Sequence, residues 1–147
     1  MSDTQRILFL CTGNSCRSQM AEGWCRAIGS DAVECASAGL EAHGLNPNAV
    51  QVMAEAGVDI SGQCSNTVEE MLGGHFDLIV TVCGHAHEHC PVWPGKTELV
   101  HMPFDDPPAL ARDAASEEEA IGHYRRVRDE IRVAITRLIV DRTTRGV

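Results

Sequence analysis

The stretch that most constrains this chain is Leu10-Cys11-Thr12-Gly13-Asn14-Ser15-Cys16-Arg17-Ser18. The apolar run Ile7-Leu8-Phe9-Leu10 precedes it, and Met20, Trp24 and Ile28 follow at every fourth position. That pattern spells strand, tight loop, then a helix beginning near Arg17. Gly13 and Asn14 are residue types that accept the positive φ a tight loop needs. Such a loop can turn successive backbone N–H groups of Thr12, Gly13, Asn14, Ser15, Cys16, Arg17 and Ser18 toward one point. The N-terminus of the following helix adds unpaired N–H groups and the positive end of its dipole. Arg17, separated from Cys11 by five residues, can grip two oxygens of a tetrahedral anion with its planar fork. The same field prepares Cys11 to act as a nucleophile.

The rest of the chain alternates strand and helix signals. Further strands are expected at 32–36, 76–82 and 99–102. A helix opens at Asn46-Pro47, with Asn as N-cap, Pro in the first turn and Val50, Met53 and Ala54 as its apolar stripe. Gly57 stops it. A shorter helix is expected over 65–72, with Asn66 and Glu69 at capping-box spacing, and Gly73-Gly74 ends it. Ser116 and Glu119 match the capping box of a last helix, whose buried stripe is Tyr124, Val127, Ile131, Ala134, Ile135 and Leu138. Residues 1–147 therefore read as one α/β domain, an open parallel sheet of about four strands with helices on both faces. Ligands of such folds bind at the carboxyl edge of the strands. Cys11, Cys83 and the Asp105-Asp106-Pro107 turn each follow a strand at that edge, so they should converge in space.

The formal net charge of −9 makes nucleic acid an improbable partner class. No apolar run is long enough to span a membrane, and residues 1–6 lack a signal-peptide pattern, so the cytoplasm is expected. An odd count of seven cysteines in a reducing compartment argues against a disulfide scaffold and for redox, metal or catalytic use. Cys25, Cys35 and Cys64 read as structural, and Cys16 as a thiol that could oxidise against Cys11. Cys83 and Cys90 flank a polar segment. A flexible loop there could bring Cys83 to Cys11 and later Cys90 to Cys83.

The motif from Cys11 to Gly23, CTGNSCRSQMAEG, resembles the signature of the thioredoxin-coupled arsenate reductases, which are built on the low-molecular-weight protein tyrosine phosphatase fold. The resemblance implies reduction of arsenate to arsenite by a relay. Cys11 attacks arsenate, Cys83 releases arsenite, and Cys90 takes over the disulfide and presents it to thioredoxin. It further implies that Ser18 hydrogen-bonds Cys11, that Asp106 of the Asp-Pro pair is a general acid with Asp105 as a substitute, and that phosphate or sulfate mimics the substrate. No cofactor and a monomer are expected. Glutaredoxin or a small thiol is the alternative donor. A phosphatase using only Cys11, Arg17 and Asp106 is the rival enzyme, although Pro108 and Ala109 replace the aromatic residues such enzymes place after Asp-Pro.

Two features depart from the resemblance. His85, His87 and His89, with Cys83 and Cys90, offer an alternative of another class, a metal- or arsenite-binding loop without turnover, but their spacing fits no standard structural zinc site. Some relatives hold potassium behind the anion loop. The corresponding positions are Asn14, Glu22, Ser37, Cys64 and Asn66, and a thiol and an amide are poor hard-cation ligands. Residues 84–89 are expected to loop out on oxidation, because a helix would hold Cys83 and Cys90 too far apart to bond.

Overall fold

The protein was analysed as a computed structural model, which describes residues 4–91, 93 and 96–144. Four strands form one sheet: β1 (Gln5–Cys11), β2 (Val33–Gly39), β3 (Leu78–Thr81) and β4 (Glu98–His101). Their order is β2-β1-β3-β4 and every pairing is parallel. The helices are α1 (Arg17–Gly29), α2 (Pro47–Glu55), α3 (Val68–Met71), α4 (Gly84–Glu88), α5 (Pro107–Arg112) and α6 (Glu117–Thr144). None of the described helices is long and apolar enough to cross a membrane.

β1 is central, which explains its continuous apolar run. Ile7, Leu8, Phe9 and Leu10 are all buried, since both faces of a parallel sheet are covered. Each such side chain contributes about 1.5–3 kcal/mol through burial. α1 steps from β1 out to β2, whereas α3 and α4 lie on connections that step the other way. Right-handed crossovers therefore put them on opposite faces. α6 packs along α1, α2 and α5, and the indole N–H of Trp24 donates to the Arg128 carbonyl at 3.1 Å.

Several expected boundaries shift. β3 is shorter than 76–82, although Phe76 and Val82 are still buried beside it. β4 starts one residue earlier than expected, at Glu98. The buried stripe of α2 is Ala49, Val52 and Met53 rather than Val50, Met53 and Ala54. Asn46 caps it as expected, its side chain accepting from the N–H groups of Asn48 and Ala49. The helix expected over 65–72 shrinks to α3, capped by Thr67 through the N–H of Glu70. Asn66 does not cap it, because its own N–H is held by the Asn14 side chain. In α6 the stripe ends on Ile139, with Ala134 and Leu138 only half-buried. Ser116 caps α6 by accepting from the Glu119 N–H, but the Glu119 carboxylate accepts from the N–H of Ala115 rather than from that of Ser116, so only half of the expected capping box forms.

The largest correction concerns the cysteines. Cys25 on α1 and Cys35 on β2 form a disulfide, with Cα atoms 6.2 Å apart, leaving Cys11, Cys16, Cys64, Cys83 and Cys90 free. The cause is tertiary: the crossover lays α1 against β2 and brings the two positions within bridging range.

Candidate active site

The anion loop runs from the end of β1 to the start of α1. Asn14 takes the left-handed conformation with φ 47°, whereas Gly13 does not. Gly13 is required for space instead. A Cβ there would come within 2.4 Å of the His43 ring. Gly39, at the end of β2, is likewise pressed against the loop, its missing Cβ lying 2.6 Å from the Asn14 nitrogen and 2.8 Å from the Thr12 carbonyl.

The outer side of the loop is satisfied by the segment after β2. The carbonyls of Cys11, Thr12, Gly13 and Ser15 accept from the N–H groups of Leu40, Glu41, His43 and Asn46 at 2.9–3.2 Å. The Asn14 carbonyl accepts from Gln19 at 3.0 Å and from the Ser65 hydroxyl at 2.9 Å. With the carbonyls turned outward and engaged, the loop N–H groups are free for the cleft, the arrangement that binds anions.

A directed chain of hydrogen bonds reaches Cys11. The Asn66 N–H donates to Asn14 Oδ1 at 2.7 Å, and Asn14 Nδ2 donates to Ser18 Oγ at 2.9 Å. Ser18 Oγ thus accepts from Asn14, which leaves its proton for the Cys11 sulfur 2.8 Å away. A nucleophilic sulfur held by a donor is positioned and kept from swinging out of the cleft.

Arg17 is nearly buried, and Nη1 donates to the Phe104 carbonyl at 3.1 Å. Its Nη2 lies 3.7 Å from Asp106 Oδ1. Asp106 occupies the N-cap position of α5, yet its carboxylate makes no capping bond and faces the cleft. Asp105 does not face it. Its carboxylate pairs with Arg126 at 3.1 Å on the surface, which removes it as a substitute acid.

The cleft, of about 370 Å³, is lined by Cys11, Cys16, Arg17, His43 and Asp106 among others. Burial, then the charge of Cys11, then that of Asp106 push the Cys16 thiol far above the ordinary cysteine range, so it stays protonated beside Cys11.

Cys83 sits where the topology requires. It is buried, and its sulfur is 3.4 Å from Thr12 Oγ1 of the anion loop. It also caps α4, accepting from the Ala86 N–H at 3.4 Å. The segment expected as an open loop is therefore a short helix. Cys90 lies beyond its end, half-buried, and burial raises its thiol above the ordinary value.

The three histidines are split rather than gathered. His85 and His89 lie one turn apart with ring centroids 4.4 Å apart, while His87 stacks on His101 and its Nδ1 meets Thr81 Oγ1 at 3.2 Å. Among the described residues no cluster of three or more His, Cys, Asp or Glu is placed to hold a metal ion.

Behind the loop, the positions that resemble the potassium site do meet, but their donors are engaged with one another. Ser37 donates to Glu22 Oε1 at 2.6 Å, Arg26 pairs with Glu22 Oε2, and Asn66 Nδ2 donates to the Cys64 carbonyl at 3.2 Å. Burial raises the Glu22 carboxyl above its ordinary value, opposed by Ser37 and Arg26. A guanidinium already supplies the positive charge, so this donor set does not fit a resident hard cation.

Sequence reasoning missed Glu41 and His43, which flank the anion loop from outside. The signal that could have found them is topological, because β2 neighbours β1 and its exit loop must border the loop after Cys11.

Residues 6–145 match the family described as low molecular weight phosphotyrosine protein phosphatase. An arsenate reductase of Halalkalibacterium halodurans is 54% identical over 125 residues, 85% of this chain and 88% of that protein. One from Bacillus subtilis is 52% identical over the same shares. A solved arsenate reductase in its oxidized state superposes with a TM-score of 0.79 at 30% identity, covering 94% of this chain and 98% of the other. Another, in a phosphate-binding state, gives 0.75 at 28%. The anion loop, its cleft and these likenesses agree, and the chain belongs to the low molecular weight phosphotyrosine protein phosphatase family, among its arsenate reductases.

Proposed function

We propose that the protein reduces arsenate to arsenite with its own thiols. Arsenate binds in the loop of residues 12–18 against Arg17. Cys11 attacks arsenic, and Asp106 gives its proton to the departing oxygen, which leaves as water. Cys83 then attacks the Cys11 sulfur. The new S–S bond forms as the As–S bond breaks, its electron pair stays on arsenic, and As(III) leaves as arsenite. Cys90 attacks Cys83, which frees Cys11 and moves the disulfide outward. Thioredoxin returns two electrons and two protons to the Cys83–Cys90 disulfide. The working unit is a monomer in the cytoplasm, and the role is arsenic detoxification.

The observation that carries this reading is the contact of Thr12 with the Cys83 sulfur, a second thiol at the rim of the anion loop. Phosphate-ester hydrolysis needs no such group, so any phosphatase activity is a side reaction of Cys11, Arg17 and Asp106. The test is mass spectrometry of disulfides after one arsenate turnover. The wild type should carry Cys83–Cys90 and the Cys90→Ser variant Cys11–Cys83. Arsenite release with neither bond formed would sink the relay.

A further inference from the structure

Glu41 and His43 have no part in the cycle just described, yet both are fastened to the anion loop. The backbone N–H groups of Glu41 and His43 hold the Thr12 and Gly13 carbonyls at 2.9 Å each. The imidazole lies on Gly13, with Nδ1 the ring atom nearest the space a Cβ would fill. Its other nitrogen, Nε2, is 2.6 Å from Glu41 Oε2. One ring nitrogen is therefore anchored to a carboxylate while the other lies toward Gly13 of the loop, and the residue lines the cleft.

The charge balance of the cleft gives that ring a task. Among the described residues the only basic side chains lining it are Arg17 and His43. Arg17 already faces Asp106. Once Cys11 ionises to attack, the one guanidinium faces a thiolate and then the incoming oxyanion as well, in a chain of net charge −9. A protonated His43 donates Nε2–H to Glu41 and keeps Nδ1–H for the cleft, whereas the neutral ring offers only one of these bonds.

We propose that His43, positioned by Glu41, is the second cationic donor of the anion site, and that oxyanion binding is coupled to a proton on its imidazole. The inference rests on the reading of this cleft as an oxyanion site. The ionisable groups facing His43 are Glu41 on its own segment, Cys11 and Cys16 of the loop, Arg17 on α1 and Asp106 at the start of α5.

The experiment is calorimetric titration of the Cys11→Ser protein with sulfate, which does not itself titrate near neutrality, in two buffers of different ionisation enthalpy. Sulfate should bind with proton uptake. His43→Ala should weaken binding about tenfold, the loss expected of one charge-assisted hydrogen bond, and abolish the uptake. His43→Gln, which keeps bulk and polarity, should also lose the uptake, which separates charge from packing should the alanine variant misfold. Glu41→Gln gives the deciding sign. Removing a negative charge near an anion should by itself tighten binding, but if Glu41 serves His43, binding should weaken. Tighter binding in Glu41→Gln, or unchanged affinity and uptake in both His43 variants, would overturn the proposal. Arg17→Lys separates the two levels: if it weakens sulfate and the His43 changes do not, only this inference fails. If sulfate does not bind or Arg17→Lys has no effect, the anion-site reading fails with it.

Discussion

In the anion loop and the first turn of α1, Asn14, Ser18 and Gln19 are fully buried, and their side chains bond to one another, to Cys11 and to Gln63, Cys64 and Asn66 of the segment before α3. Between Cys83 and Cys90, by contrast, His85, His87 and Glu88 on a helix of five residues, and His89 just after it, face solvent. The first region is held in its binding conformation before a ligand arrives, so stabilising an anion there costs no reorganisation. The second cannot remain as it is if Cys90 is to reach Cys83. α4 occupies five of the six residues between them, and a helix carried through all seven steps would span roughly 10 Å, against a limit near 7 Å between bridged Cα atoms. On the proposed cycle, one protein combines a rigid anion cradle with a relay arm whose stability must be low.

The largest effect should come from the rigid region, and it should strike both chemistries at once. Cys11→Ser should abolish arsenate reduction and aryl-phosphate hydrolysis alike, measured in steady state. Arg17→Lys should reduce both by about ten- to a hundredfold, since it loses charge-assisted bonds worth roughly 1.5–3 kcal/mol each. Retained turnover in Cys11→Ser would remove the nucleophile from the mechanism.

Substitutions in the relay arm should divide the two chemistries. Cys83→Ser and Cys90→Ser should each stop multiple turnover of arsenate while aryl-phosphate hydrolysis stays within about twofold, because phosphate attack needs only the cradle. Parallel losses in both assays would mean that the arm also shapes the cradle, through the contact between Cys83 and Thr12.

The same contrast governs what could be read from the sequence. The strand, loop and first helix around Cys11 were legible because their chemistry is local: an apolar run, a turn-permissive pair and a helical period within a few tens of residues. The relay arm was misread as open loop because α4, with five residues, is too short to show a period. The start of α5 was obscured in the same way by its two prolines. Beyond the convergence of Cys11, Cys83 and Asp106 at one sheet edge, contacts between distant segments were not legible. The capture of the Asn66 N–H by Asn14 moved a helix cap to Thr67, and the seating of α1 on β2 joined Cys25 to Cys35.

A pH dependence should also separate the regions. Burial raises the Cys90 thiol, so in the closed arm it is protonated at neutral pH and the thiolate fraction grows with pH up to that raised value. Looping out removes the burial, lowers the pKa toward its ordinary value and makes Cys90 a better attacker as it becomes mobile enough to attack. Rapid-quench measurement of Cys83–Cys90 formation should therefore accelerate as pH rises above neutrality. A flat profile would mean that opening, not ionisation, limits the transfer.

The smallest effect should come from stabilising the arm without touching any reacting group. Gly84 begins α4, and a Cβ built there meets nothing within 4 Å, so alanine introduces no clash. Alanine favours a helix over glycine by about 0.5–1 kcal/mol at most positions. If α4 must unwind before Cys90 reaches Cys83, Gly84→Ala should slow disulfide transfer by about two- to fivefold and increase hydrogen-exchange protection across residues 84–89, with sulfate affinity unchanged. His101→Ala should act in the opposite sense. It removes the ring stacked on His87 at 4.2 Å and the 2.8 Å partner of Thr81, loosening the tie between α4 and the sheet. Protection in α4 should fall and transfer should quicken. If the two variants change protection in opposite directions but leave the transfer rate alone, unwinding of α4 does not limit the relay, and the pliability of this arm must serve access by the reductant instead.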